Sequence, residues 1–341
     1  MRVSINAHYL HRKMSGLARY TRQVYDAVQA DGHRIIEIHL PSWFYRKGGN
    51  VHRMLRFLAL AAWEMLLPPL LLLCGRVDCH VSPAFAAPLG LFSRRYLVVV
   101  HDLAFIDYPD LYTRLERWYL GLNLRLLQIG HHIIIVPSEF VKSRICAQYN
   151  ISPQRVHTVS PYSEFCPREP VSEKLDRYFI LLSNAHPRKN LQATIDGFLA
   201  SAACVAGYRL MIVGNFEQSV RADADHVVVC QGVSDQQLEQ LIAGATALVL
   251  FSLSEGFGFP IVEAASLGVV SMTSRVSSLA ELSSPDMPHT AATQQHEIRE
   301  AFDRFVADPA FRAQLEADRR YVNATFNRQS FYQHWQELLH G

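Results

Sequence analysis

Ala247-Leu248-Val249-Leu250-Phe251-Ser252-Leu253-Ser254-Glu255-Gly256-Phe257-Gly258-Phe259-Pro260-Ile261-Val262-Glu263-Ala264-Ala265 runs from an apolar segment through a glycine-containing loop into a helical pattern. Near-continuous apolar residues from Ala247 to Ser252 fit a strand buried on both faces, as in a parallel sheet. Pro260 suits the first helical position, because its missing N–H needs no partner there and its φ is already set. The glycines let backbone approach a ligand, and free N–H groups at the helix start favour an anion such as phosphate or diphosphate. An ordinary strand-to-helix turn would share these features, so the two acids carry the distinction. Glu255 and Glu263 would repel a diphosphate, yet they can accept hydrogen bonds from hydroxyl pairs, each charge-assisted bond contributing about 1.5–3 kcal/mol. A phosphate centre with a polyol at each end describes a nucleotide sugar.

Outward from this stretch, short β-branched runs alternate with segments of helical period, the signature of parallel α/β sheets covered on both faces. Strands are expected at Arg2–Asn6, Arg34–Leu40, Val77–Ser82, Tyr96–His101, His132–Pro137 and Val156–Ser160, and again at Tyr178–Ser183, Arg209–Val213, Val227–Gln231, Ala247–Ser252 and Val269–Thr273. A proline-rich, irregular segment from Pro161 to Pro170 separates the two series and reads as a linker. The expected organisation is a domain over 1–165, a second over 166–325, and a closing helix over 326–341 that packs back on the first. A length of 341 residues also favours two domains over one.

Asn184-Ala185-His186-Pro187-Arg188-Lys189-Asn190 follows the strand Tyr178–Ser183 and precedes a helix running to Leu199. Cations at a helix start oppose its dipole, which an anionic ligand would explain. Arg188 can fork two phosphate oxygens and Lys189 can add a compact charge, stabilising a departing diphosphate without metal.

The pairing of Pro187-Arg188-Lys189-Asn190 with Glu255-Gly-Phe-Gly-x-Pro-x-x-Glu263 resembles the retaining glycosyltransferases of family GT4. Gly16-Leu17-Ala18-Arg19-Tyr20, His101-Asp102-Leu103 and Val136-Pro137-Ser138-Glu139-Phe140 extend the likeness over nearly the whole chain, in the family's order. The resemblance implies an α/β GT-B fold, two Rossmann-like doubly wound parallel-sheet domains facing across a cleft: an acceptor-side domain first and a nucleotide-sugar donor domain second. It implies that Arg188 and Lys189 hold the donor diphosphate and that Glu255 contacts the transferred sugar. Glu263 would hold the ribose, while the backbone of Gly256, Phe257, Gly258 and Phe259 meets sugar and phosphate. Gly16 would lie in a first-domain loop near the diphosphate, and His101 would hydrogen-bond the donor sugar. Asp102 either orients the acceptor or caps the next turn. Ala18 stands where the family usually has a second glycine, and His186 where it often has an acid. The start and the His-Asp-Leu strand end resemble mannosyl- and related transferases that build bacterial surface polysaccharides, O-antigen and exopolysaccharide among them, on a lipid carrier. GDP-mannose is therefore the first expected donor and a glycan or lipid-linked glycan the acceptor. A UDP-sugar transferase and a noncatalytic nucleotide-sugar binder are the rivals. Gly16-x-Ala18 does not complete a dinucleotide fingerprint, which argues against a nicotinamide enzyme.

Composition agrees with a packed enzyme whose partner is small. Apolar residues make up 49% and charged residues 19%, excluding a disordered chain, and a net charge of +2 gives no ground for nucleic acid. Six scattered cysteines suggest buried, reduced thiols. The N-terminus enters a strand pattern at once without a signal-peptide core, so a cytoplasmic location is expected. Met54 to Leu73 is the exception, long and apolar enough to span a bilayer. Glu64 inside it, helix-breaking Pro68-Pro69 and strands on both sides argue instead for a soluble amphipathic helix. Leu55, Leu58, Ala59, Ala62 and Leu66 form its stripe, with Arg53, Arg56 and Glu64 off it. That helix is either part of the core or a peripheral contact with the inner face of the membrane. Asp223-Ala224-Asp225 spells a metal-binding D-x-D, but its polar setting before Val227 reads as a solvated loop. No other His or carboxylate cluster has ligand spacing, so no metal or cofactor is expected.

Overall fold

The computed structural model describes residues 1–10, 16–40, 50–90, 95–166, 177–184, 186–216, 225–284 and 292–341. They form two compact units, Met1–Ser160 with Phe331–Gly341, and Pro161–Ser330. The chain leaves the first unit at Ser160, and its last helix returns to it.

The first unit contains β1 (Arg2–Asn6), α1 (Gly16–Ala30), β2 (Arg34–Ile38), α2 (Asn50–Leu73), β3 (Cys79–Ser82), β4 (Arg95–Val99), α3 (Ala104–Asp107), α4 (Arg114–Ile129), β5 (Ile133–Val136), α5 (Glu139–Tyr149) and β6 (Val156–Thr158). Its strands are all parallel in the order β2-β1-β3-β4-β5-β6. The second contains β7 (Tyr178–Leu182), α6 (Leu191–Leu199), α7 (Ala202–Val205), β8 (Arg209–Val213), β9 (Val227–Cys230), α8 (Asp235–Ala243), β10 (Ala247–Leu250), α9 (Phe259–Ser266), β11 (Ser271–Thr273), α10 (Gln295–Ala307) and α11 (Pro309–Thr325). Its parallel order is β11-β10-β7-β8-β9. The closing helix, α12 (Arg328–His340), packs in the first unit.

All eleven expected strands are present, mostly shorter by one or two residues at their ends. Each sheet reverses its winding once, between β1 and β3 in the first and between β7 and β10 in the second. Ligands of doubly wound sheets bind outside the carboxyl ends of the strands at such a reversal. The loops after β7 and β10 are those singled out by sequence, Asn184–Asn190 and Ser254–Phe259.

The helix α2 departs from expectation twice. The stripe Leu55, Leu58, Ala62 and Leu66 faces outward, while Ala61, Glu64, Met65, Pro68, Pro69 and Leu72 are buried. Burial follows hydrogen bonding here: the Glu64 carboxylate, 1% exposed, accepts from Tyr9 (3.1 Å) and Tyr119 (2.8 Å), with His8 Nε2 3.0 Å away. A carboxylate with that many partners is cheaper to bury than its charge alone suggests. The helix also continues through Pro68-Pro69. Proline at 69 removes the donor for the Met65 carbonyl, and the N–H of Leu89 takes its place at 3.0 Å. The cysteines are free as expected, but only Cys79 and Cys204 are buried, and Cys74 and Cys166 are exposed.

Candidate functional site

The loops after β7 and β10 are tied together by charge. Arg188 Nη1 lies 2.6 Å from Glu255 Oε2 and Lys189 Nζ 2.6 Å from Oε1. Arg188 Nη1 also reaches the Ser254 carbonyl at 3.2 Å, and the Leu253 N–H donates to the Arg188 carbonyl at 2.7 Å. Ser252 Oγ donates to Glu255 Oε1 at 2.8 Å. Burial alone would raise the Glu255 carboxyl. Lys189 and Arg188 outweigh it, by charge and hydrogen bonding, and hold the group below its ordinary value. Two cations and one buried anion thus stand at the winding reversal with one positive charge in excess.

Local sequence explains the placement. His186 accepts the Arg188 N–H on Nδ1 at 3.3 Å, capping the 3-10 turn Pro187–Lys189. An acid at this position could make the same cap, so the departure from the family pattern keeps the local fold. Asn190 closes the turn at φ 52°, a left-handed conformation asparagine tolerates, and its Nδ2 donates to the Thr293 carbonyl. Ala185, between the capping residues and β7, lies outside the described residues.

Gly258 has φ 122°, and a Cβ there would lie 2.7 Å from Leu282 Cδ1 and 2.8 Å from Leu279 Cδ2. Only glycine meets both demands, and the turn it permits starts α9 at Phe259 with Pro260 next. Ser278 Oγ bridges the carbonyls of Glu255 (2.8 Å) and Phe257 (3.0 Å), and Ser277 Oγ accepts the Glu255 N–H at 2.9 Å. These serines, which fix the loop, were not singled out by sequence. The only signal was the hydroxyl-rich run Ser274 to Ser278. Gly256 and Phe257 are buried with the loop, and Glu263 is 3% exposed in α9, one turn after Phe259.

In the first unit His101 follows β4, and its Nε2 lies 2.8 Å from the Pro83 carbonyl after β3. Burial lowers its pKa, against the Pro83 bond and Asp102, which raise it. A neutral imidazole donating from Nε2 to that carbonyl follows. Tyr20 packs edge-on against the ring at 5.0 Å. Asp102 Oδ1 accepts the Ala104 N–H at 3.1 Å, so of its two roles the structure displays the cap, on α3. Gly16 is the exposed first residue of α1, at the helix start instead of in the loop before it. Ala18 is buried in the same helix. Of the D-x-D triplet, Asp223 and Ala224 lie outside the described residues.

One group of potential metal ligands is assembled by the fold and not by spacing along the sequence. Asp31, His33 and His340 come together with their ligand atoms within 4.8 Å of one another. A separation of more than three hundred positions conceals the third member from any spacing argument.

Residues 164–322 match the family model described as glycosyl transferases group 1. O-antigen chain mannosyltransferase B of Escherichia coli is 28% identical over 222 residues, 59% of this chain and 58% of that protein. O-antigen chain mannosyltransferase RfbU of Salmonella typhimurium is 25% identical over 181 residues, 50% of this chain and 49% of its own length. The chain thus spans about half the length of the curated relatives it matches. Among solved structures, a sucrose-phosphate synthase from Thermosynechococcus elongatus superposes with TM-score 0.77 at 16% identity, covering 100% of this chain and 98% of that one. WaaG, a glycosyltransferase involved in lipopolysaccharide biosynthesis, superposes at 0.69 with 15% identity, both chains covered in full. Anabaena HepE, solved with UDP-glucose, gives 0.70 at 14%, covering 100% of this chain and 99% of its own. The fold is the GT-B fold that the motifs implied.

Proposed function

We propose that this chain, whose second unit carries the group 1 glycosyl transferase family, is a retaining, metal-independent transferase. It moves mannose from GDP-mannose to a glycan or lipid-linked glycan acceptor in bacterial polysaccharide synthesis. The observation that carries the reading is the Arg188–Glu255–Lys189 cluster at the reversal between β7 and β10. The named relatives support the sugar and the pathway class.

On this reading Arg188, Lys189 and the amides of residues 256–259 bind the donor diphosphate and stabilise the charge that grows on it as the bond to the anomeric carbon breaks. Two fixed cations supply what a divalent ion would otherwise bring, so no metal enters the step. Glu255, released from its cations, accepts from hydroxyls of the transferred sugar, and Glu263 from the ribose. By the family resemblance, His101 donates to or accepts from the donor sugar, and Asp102 faces the acceptor. The acceptor oxygen forms the new bond on the face that the phosphate leaves, and its proton passes to a phosphate oxygen.

Incubating the purified protein with GDP- and UDP-sugars plus a lipid-linked glycan extract tests the proposal. GDP release from GDP-mannose alone is the expected result. Turnover of a UDP-sugar instead would correct the donor and leave transfer standing. Release of no nucleoside diphosphate from any donor would refute catalysis in favour of a nucleotide-sugar binder.

The outward stripe of α2, with Leu55, Leu66, Leu70 and Leu73 each more than half exposed, supports peripheral contact with the cytoplasmic membrane face. Cosedimentation with anionic vesicles is the expected behaviour, lost in a Leu58→Asp, Leu66→Asp double variant. Wild-type protein that stays in the supernatant would remove this part of the proposal.

A further inference from the structure

The geometry points to a divalent transition-metal site, zinc first, built from Asp31 Oδ2, His33 Nε2 and His340 Nε2. Each imidazole nitrogen lies 2.9 Å from the same carboxylate oxygen. Ligand atoms around a tetrahedral zinc with bonds of about 2.0 Å stand about 3.3 Å apart, so a few tenths of an ångström of outward movement would admit the ion.

Two rigid elements hold these groups. Asp31 ends α1 in a turn where Gly32, at φ 75°, donates to Gln29 and His33 donates to Val28 through their main-chain N–H groups. This is the glycine-closed helix terminus that presents the residues before and after it in fixed directions. From α12, Gln336 and His340 stand one turn apart on one face. Gln336 Nε2 donates to Asp31 Oδ1 at 2.9 Å, which leaves Oδ2 for the histidines. On His33, Nδ1 lies 3.3 Å from the N-terminal amino group of Met1, so Nε2 is the atom that faces the cluster.

The His33 ring supplies the second, independent observation. Its side chain is 5% exposed, yet Nε2 makes no well-angled hydrogen bond although Oδ2 is 2.9 Å away. A buried imidazole nitrogen 2.9 Å from a carboxylate oxygen, with no well-angled hydrogen bond between them, is a group that a metal ion replacing the proton would satisfy. Two imidazoles and one carboxylate suit zinc, copper or nickel over magnesium or calcium, and three protein ligands leave a fourth position for water.

The role that follows is mechanical. Bound metal would clip α12 to the turn between α1 and β2. α12 carries Phe331 and Trp335, Phe331 packs on Tyr20, and Tyr20 packs on His101.

The test uses the full chain without an affinity tag and Zn²⁺ alone, by calorimetric titration and by thermal unfolding. One ion per chain with micromolar affinity and a raised unfolding temperature are expected. His340→Ala, which changes a half-exposed side chain and should leave the fold intact, and Asp31→Asn should each weaken binding by at least about tenfold and abolish the thermal shift. Co²⁺ in place of Zn²⁺ should give the visible absorption of a four-coordinate ion in wild type and lose it in His340→Ala. Wild-type affinity no better than millimolar, or equal affinity in His340→Ala, overturns the site.

Discussion

Glu255→Gln is expected to bind GDP at least about tenfold more tightly than wild type while turning donor over about 10²–10³ times more slowly. Without ligand, the Glu255 carboxylate occupies both cations at 2.6 Å. An incoming diphosphate must displace it, so the carboxylate competes with the ligand. Glutamine keeps the shape and removes the competing charge, which leaves guanidinium and ammonium free for phosphate. The same change weakens acceptance of sugar hydroxyls, so tighter product binding and slower transfer appear together. Lys189→Ala should act in the opposite sense on GDP, weakening it, while also lowering turnover. The opposed signs are the diagnostic. If the cluster were only a structural ion pair, both variants would lose stability and neither would bind nucleotide more tightly. Calorimetric titration with GDP and steady-state turnover measure the two effects.

The pH dependence follows from the same cluster. Because the folded Glu255 carboxyl lies below its ordinary 4.5, the ion pair contributes stability that is fully present above that value and is lost as pH falls through the lower folded one. Glu255→Gln should lack this acid-side loss, and acid unfolding of the two proteins would display the difference.

The sheets were legible in the sequence because buried parallel strands are short apolar runs, and nothing else in this chain mimics them at that spacing. Arg188, Lys189 and Glu255 stood out in the sequence for a related reason: charges placed at strand ends are costly to bury, and cations at a helix start oppose its dipole. Their mutual pairing was not legible, since a sequence does not say which opposite charges meet when no ligand separates them. The helix α2 shows where patterning fails. A wide apolar surface contains more than one possible stripe, and hydrogen bonds from Tyr9 and Tyr119 to Glu64, residues 55 positions away on either side, selected the inward one. Asp102 stayed open between two roles because capping and acceptor binding demand the same carboxylate. The cluster at Asp31 was hidden because one of its three members arrives on the returning helix.

That returning helix supplies the largest expected stability effect. Trp335 is fully buried and packs on Phe331, whose ring meets Tyr20 at 5.6 Å, and Arg95 Nη1 donates to the Leu339 carbonyl at 2.5 Å. Trp335→Ala should destabilise the first unit by about 3–5 kcal/mol, since an indole is removed from a packed interior that closes only partly over the gap. Each unit has its own core, so denaturation with urea should move one transition and leave the other near its wild-type midpoint. Trp335→Phe retains most of the contact and should fall between, which keeps the argument testable if the alanine variant does not fold. A loss under about 1 kcal/mol for Trp335→Ala would mean that α12 is an appendage. The expected loss makes it a structural wall of the first unit, and through Tyr20 the support on which the His101 ring is held edge-on. Turnover by Trp335→Phe should then fall further than its folded fraction explains, because the ring it backs through Phe331 and Tyr20 gains freedom to turn away from the Pro83 carbonyl.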